Sequence, residues 1–182
     1  LVMILRDYQI NLIKQTAETL RLHGIVYLTL ETRVGKTPVS LCAAQKHCES
    51  HTSGEIIFLT KKSVIPSIMA TLEQLGAEVY NPVTVMSFDS LHKLSHNPKA
   101  LYIIDEAHSF GTFPKPSLRA KNLRKLTKGC PVILLSATPS PESYSMLFHQ
   151  FWACNSSLWT HKNFYAWAKE YVDIRKKRIN AI

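Results

Sequence analysis

The sequence predicts an α/β domain built on a mainly parallel sheet, and three observations predict it. Short apolar runs alternate with amphipathic helical stretches along nearly the whole chain. Those runs are continuously apolar, as strands covered on both faces are, rather than alternating. Three of them end in polar strings, two of the kind that bind phosphate and metal and one rich in hydroxyls.

In chain order, residues 7–22 set Tyr8, Ile10, Leu12, Ile13, Thr16, Ala17 and Leu20 at helical spacing, and Gly24 stands where a helix stops. Ile25–Leu30 reads as a buried strand, followed by a loop and a helix from about Lys36 to His47. Glu55–Leu59 reads as a strand. A helix follows from Ser63 to Leu75, with Pro66 placed in its first turn. Val83–Met86, Leu101–Ile104 and Val132–Leu135 read as further strands. Helical stretches are expected near Ser87–Leu94, Ser117–Leu126 and Glu142–Phe151, with a loop at Phe113–Ser117. Asn163–Ile174 closes the series as an amphipathic helix carrying Phe164, Trp167, Tyr171 and Val172, with cations crowding Arg175 to Arg178.

Composition sets the limits. The 182 residues suit one domain, and 46% hydrophobic residues suffice for a core. Six glycines and nine prolines argue against a fibrous or disordered chain. No apolar run approaches the ~20 residues that cross a bilayer, so no membrane partner is expected. No secretory pattern stands at the front, and the cytoplasm is the expected location. The opening Leu1 and the helical pattern at the end suggest a fragment at both ends. Lys and Arg exceed Asp and Glu by 22 − 13 = 9, a balance that suits a phosphate-rich partner. Cys42, Cys48, Cys130 and Cys154 include no CxxC pair. The Cys42, His47, Cys48, His51 group lacks zinc spacing, so reduced, mostly buried thiols are expected.

Three strings carry chemistry. Glu31-Thr-Arg-Val-Gly-Lys-Thr37 follows a strand and opens a helix, where free amides and the helix dipole favour an anion. Lys36 would reach β- and γ-phosphates, Thr37 would bind Mg²⁺, and Gly35 would let the backbone of Arg33, Val34 and Gly35 approach ATP. Leu30 stands where the full pattern has its first glycine. Leu101–His108 is an apolar strand ending in two carboxylates. Asp105 would hold Mg²⁺ and Glu106 would polarise the attacking water, with His108 in a coupling role. Leu134-Leu-Ser-Ala-Thr-Pro139 follows another strand, and its Ser136 and Thr138 are candidates to link the acidic box to a nucleic-acid site.

Gly-Lys-Thr, Asp-Glu-Ala-His and Ser-Ala-Thr, in this order, resemble motifs I, II and III of superfamily two helicases, and nearly the whole chain shares the likeness. The nearest flavour is that of Snf-type and phage-encoded DEAH-box helicases, some of which carry an Arg before the terminal Gly-Lys-Thr. Many members have glycine where Arg33 stands. The resemblance implies a three-layer RecA-like P-loop NTPase domain over residues 1–160. Residues 161–182 would then be a helical extension toward a second RecA-like domain. It implies ATP and Mg²⁺ as cofactors and DNA as the track. Leu5–Gln9 resembles the adenine-reading Q motif, which makes Gln9 a nucleotide contact. Phe58–Lys62 and Val85–Leu91 resemble motifs Ia and Ib, which makes Thr60, Lys61, Lys62 and Ser87 phosphate contacts for nucleic acid. The same domain type drives type I and type III restriction subunits, and a non-catalytic P-loop scaffold is a further alternative. All of these readings except the scaffold require Lys36 and Asp105 to meet at one pocket.

Overall fold

The computed structural model describes residues 3–31, 33–50, 54–154 and 158–173. The expectations for His51 and for Ile174 to Arg178 fall outside those residues. Among the described residues eleven α-helices and β-strands follow one another: α1 (Asp7–His23), β1 (Ile25–Thr29), α2 (Lys36–Ser50), β2 (Glu55–Thr60), α3 (Ile65–Leu75), β3 (Val83–Ser87), β4 (Ala100–Ile104), α4 (Leu118–Leu126), β5 (Val132–Ser136), α5 (Met146–Trp152) and α6 (Phe164–Tyr171). The sheet order is β1-β5-β4-β2-β3, and every pairing is parallel.

The expected strands are found to within a residue or two, because burial on both faces leaves long apolar runs in the sequence. Three helical expectations need correction. The 87–94 stretch is 3-10 turn over Phe88–Lys93, with only Phe88 and Leu91 buried. It offers too narrow an apolar stripe for an α-helix to bury. The 142–151 stretch becomes helical only at Met146, four residues after the Pro141-Glu142 start the sequence offered. The final helix spans Phe164–Tyr171, with the Asn163 side chain accepting from the Ala166 amide at 3.0 Å. Elsewhere local chemistry matches the reading. Gly24 caps α1 with φ +69°, Pro66 sits in the first turn of α3, and Ser117 caps α4 through the Ala120 amide at 3.1 Å.

Side chains alternate along each strand into two separate cores. Val26, Leu28, Ile56, Phe58, Leu101, Ile103, Ile133 and Leu135 pack beneath α1, α2 and α3. Ile25, Tyr27, Ile57, Leu59, Tyr102, Ile104, Val132 and Leu134 pack beneath α4, the 88–93 turn and the start of the loop after β4. The chain moves outward from β1 to β3 over the first face and returns through β4 to β5 over the second. One connection hand therefore serves the whole sheet. Phe148, Phe164, Trp167 and Ala168 form a third, aromatic cluster that docks α6 on α5. No helix among the described residues is long and apolar enough to cross a membrane.

All four cysteines are buried and free. Burial pushes the thiols of Cys42 and Cys48 up to about 11 and that of Cys154 up to about 12, from 9.0. Below pH 9 both folded and unfolded chains keep these protons, so the shift is silent. Above it the unfolded chain alone releases them, and stability falls as pH rises. We expect a loss of about 1 kcal/mol per thiol by pH 10, measurable as a lower urea midpoint that Cys→Ala variants partly abolish.

Candidate active site

Parallel pairing puts the ends of β1, β4 and β5 on one edge of the sheet, so the three polar strings emerge together. β1 and β5 send their following segments to opposite faces, which opens a crevice between them at the place where open α/β sheets bind ligands. β4 lies one strand further on, about 10 Å from β1 at the usual strand spacing. Lys36 and Asp105 therefore stand on the same edge.

The phosphate loop is built on two left-handed residues. Gly35 has φ +87°, and a Cβ there would come within 2.2 Å of Gln9 Nε2. Arg33 has φ +66°. Its left-handed backbone explains why glycine suits this position, and the arginine bears the steric cost. Leu30 is not among the residues with positive φ, so the loop needs no glycine there. We expect Arg33→Gly to stabilise the fold by about 1 kcal/mol in urea unfolding. A neutral or destabilising result would mean that the guanidinium has a structural partner.

Lys36 begins α2, and its Nζ donates to the carbonyls of Leu30 at 2.9 Å and Glu31 at 3.0 Å. Thr37 is partly exposed beside it. Gln9 is buried rather than lying on an open helix face. Its Oε1 accepts from the Arg6 amide at 2.9 Å, closing the start of α1. Its Nε2 donates to the Val34 carbonyl at 3.2 Å. The Tyr8 hydroxyl donates to the same carbonyl at 2.9 Å. Tyr8 was missed by the sequence reading, although it stands inside the Leu5–Gln9 string.

The acidic pair is held as firmly. The Asp105 amide extends the β4–β2 ladder by donating to the Leu59 carbonyl at 2.8 Å. Asp105 Oδ2 accepts from the Thr60 hydroxyl at 2.7 Å, and Oδ1 accepts from the Glu106 amide at 3.0 Å. Each carboxylate oxygen keeps lone pairs beyond those bonds. Glu106 is left-handed at φ 48°, ψ 48°. Among the described residues only Arg33 and Glu106 are non-glycine positions with positive φ, and both lie at this edge. Such strain costs about 1–3 kcal/mol and gathers at functional sites. Glu106 Oε2 stands 3.2 Å from His108 Nδ1, which also meets Ser136 Oγ at 2.9 Å. Ser136 Oγ accepts from the Thr138 amide at 3.1 Å. The structure thus joins His108, Ser136 and Thr138, as grouped from the sequence.

The expected nucleic-acid contacts divide. Thr60 is fully buried, and its hydroxyl is committed to Asp105 rather than offered at the surface. Lys61 and Lys62 are exposed just beyond β2. Ser87 pairs in register with Thr60 and bonds Ser90 Oγ at 3.2 Å rather than capping an α-helix. A cavity of about 400 Å³ between the ends of β2 and β3 is lined by Lys62, Ser87, Asp89 and Ser90 among others.

The donor set matches a magnesium triphosphate: helix amides and an ammonium for phosphate, a hydroxyl and a carboxylate for the metal. Among the described residues no group of three or more His, Cys, Asp or Glu gathers to hold a metal on protein ligands alone.

The fold is RecA-like, a five-stranded parallel sheet with helices on both faces. The chain is similar to the SWI2/SNF2 ATPase core of Sulfolobus solfataricus, solved in complex with dsDNA, at 16% identity and a TM-score of 0.76. That match covers 93% of this chain and 39% of the other. It is also similar to a nuclease-deletion mutant of the Type ISP restriction-modification enzyme LlaGI, solved with a DNA substrate mimic. There the identity is 14%, the TM-score 0.53, and the coverage 76% of this chain and 18% of the other. This chain thus spans well under half the length of either protein. No family model and no curated protein sequence matches it.

Proposed function

We propose that this chain is the first motor domain of an ATP-dependent DNA helicase or translocase of the Snf-like, DEAH-box kind found also in phages. One observation carries the reading. The lysine loop, the acidic pair and the Ser-Ala-Thr string share one sheet edge, with backbone strain at two of them. Lys36 and the α2 amides would bind the phosphates of ATP. Thr37 and Asp105 would hold Mg²⁺, which screens phosphate charge when bound. Glu106 would orient and polarise the attacking water, with His108 and Ser136 relaying the state of that site. Lys61, Lys62 and the groove beside Ser87 would follow a DNA backbone, with affinity falling as salt rises. The location would be the cytoplasm, the host's where a phage encodes the protein.

The site stands on an open edge, and the cavity of about 420 Å³ between α1 and α2 contains none of its residues. An open edge suits closure by a second RecA-like domain, which in such motors supplies an arginine to the γ-phosphate. We expect this chain alone to bind Mg-ATP and to hydrolyse it about 10³- to 10⁵-fold more slowly than the two-domain protein. Calorimetric titration with Mg-ATP and steady-state phosphate release, each with and without DNA, test this. Absence of binding would remove the reading, and rapid DNA-stimulated turnover by the chain alone would remove the second domain from it. The likeness to the restriction enzyme supports a second reading with the same site in a restriction motor subunit. Co-purification with a nuclease or methylase subunit would favour it.

A further inference from the structure

The two members of the acidic pair lean on opposite neighbours of β4. Asp105 is tied to β2 twice. Its amide donates to the Leu59 carbonyl at 2.8 Å, and its Oδ2 accepts from the hydroxyl of the next residue, Thr60, at 2.7 Å. Glu106 instead meets His108 Nδ1 at 3.2 Å, and His108 meets Ser136 Oγ, at the end of β5, at 2.9 Å. β4 lies between β2 and β5 in the sheet, so the two carboxylates are braced from different strands.

Thr60 is a firm brace. It closes β2, pairs in register with Ser87 of β3 and is fully buried. A branched side chain on a paired strand has few rotamers open to it. An ionised carboxylate can only accept, so the hydroxyl donates. A bond to a charged acceptor is roughly twice as strong as one between neutral groups. Asp105 Oδ1 has a donor of its own, the Glu106 amide at 3.0 Å. That bond alone would leave the carboxylate free to swing about Oδ1. With Thr60 on the other oxygen both ends are held, and the plane of the group is set.

We propose that Thr60 is a positioning residue for the metal: its hydroxyl holds the Asp105 carboxylate in the plane from which it would bind Mg²⁺. The proposal rests on the reading of Asp105 as a metal ligand in an ATP site. It gives Thr60 a role in place of the nucleic-acid contact expected from its string. Carboxylates that ligate metals are themselves hydrogen-bonded, and loss of such a partner weakens metal binding about 10- to 100-fold.

Thr60→Val exchanges the hydroxyl for a methyl and keeps the branched shape that β2 buries. ATP binding is measured by calorimetry twice, with EDTA and with Mg²⁺, and the ratio of the two affinities is the contribution of the metal. In Thr60→Val that ratio falls about tenfold or more, while the affinity with EDTA stays within about twofold. Thr60→Ser retains the hydroxyl and restores most of the ratio. A packing fault would lower both affinities, and the smaller serine would not mend it. A wild type whose ATP affinity is indifferent to Mg²⁺, an unchanged ratio in Thr60→Val, or no recovery in Thr60→Ser overturns the proposal. Amide NMR of the chain without nucleotide gives an independent readout. The Glu106 amide, bonded to Asp105 Oδ1, shifts in Thr60→Val and returns in Thr60→Ser, and an amide indifferent to Thr60 also overturns the proposal. A wild type that binds no ATP in either condition but shows these amide shifts would remove the ATP reading and leave the orientation of Asp105 by Thr60 intact. Equal strengthening of ATP binding by Mg²⁺ in all three proteins would do the reverse.

Discussion

Replacing Glu106 by Gln lowers ATP turnover by about 10²- to 10⁴-fold, the usual contribution of a general base, and leaves Mg-ATP affinity within about twofold. The amide keeps the shape of the side chain and an oxygen for His108 Nδ1 to donate to, 3.2 Å away in the wild type. It removes only the negative charge, which on the proposed reading polarises water. The left-handed backbone of Glu106 is set by its neighbours and survives the exchange: the amide is held by Asp105 Oδ1 and the carbonyl accepts from the Ser109 amide at 2.9 Å. Single-turnover hydrolysis separates the chemical step from binding. If affinity and turnover fall together, Glu106 belongs to the binding apparatus and its assigned role is wrong.

Lys36→Ala has the opposite signature. The ammonium is held over the loop by two of the loop's own carbonyls, those of Leu30 and Glu31. A bound triphosphate would recruit the same charge. Hydrogen bonds from a charged donor are worth about 1.5–3 kcal/mol each, so one lost phosphate contact weakens binding roughly 10- to 150-fold. Part of the loss would come from the loop itself, because Leu30 and Glu31 lose their donor. Lys36→Arg retains the charge and distinguishes the two contributions. Undiminished Mg-ATP binding by Lys36→Ala in calorimetry would exclude this loop as the phosphate site.

Much of this was legible in the residues. Strands such as Ala100–Ile104 and Val132–Ser136 are buried along their whole length, and that burial writes itself as an unbroken apolar run. The chemical strings were legible for a related reason: each sits where such a run stops, and parallel strands put every stop on one edge. The remainder depends on contacts that leave no local trace. Nothing near Gln9 in the chain tells that it holds Val34, 25 residues on, or near Thr60 that it serves Asp105, 45 residues on. The left-handed turns at Arg33 and Glu106 run against the preference of those residue types and cannot be inferred from them. Phe88–Lys93 was misread because its two buried side chains satisfy both a helical and a 3-10 spacing.

The division of the interior into two layers has a functional corollary. On the proposed reading, the groups that would bind the phosphates lie with the layer of α1 and α2: Tyr8 and Gln9 on Val34, and Lys36 and Thr37 at the head of α2. On the same reading, the groups proposed to cleave it lie toward the other layer, where Ser136 meets His108 and His108 meets Glu106. A sheet of five strands stands between the two layers. If the chain is such a motor domain, substitutions beneath one face would retune how tightly fuel is held while the speed of its consumption is adjusted from the other.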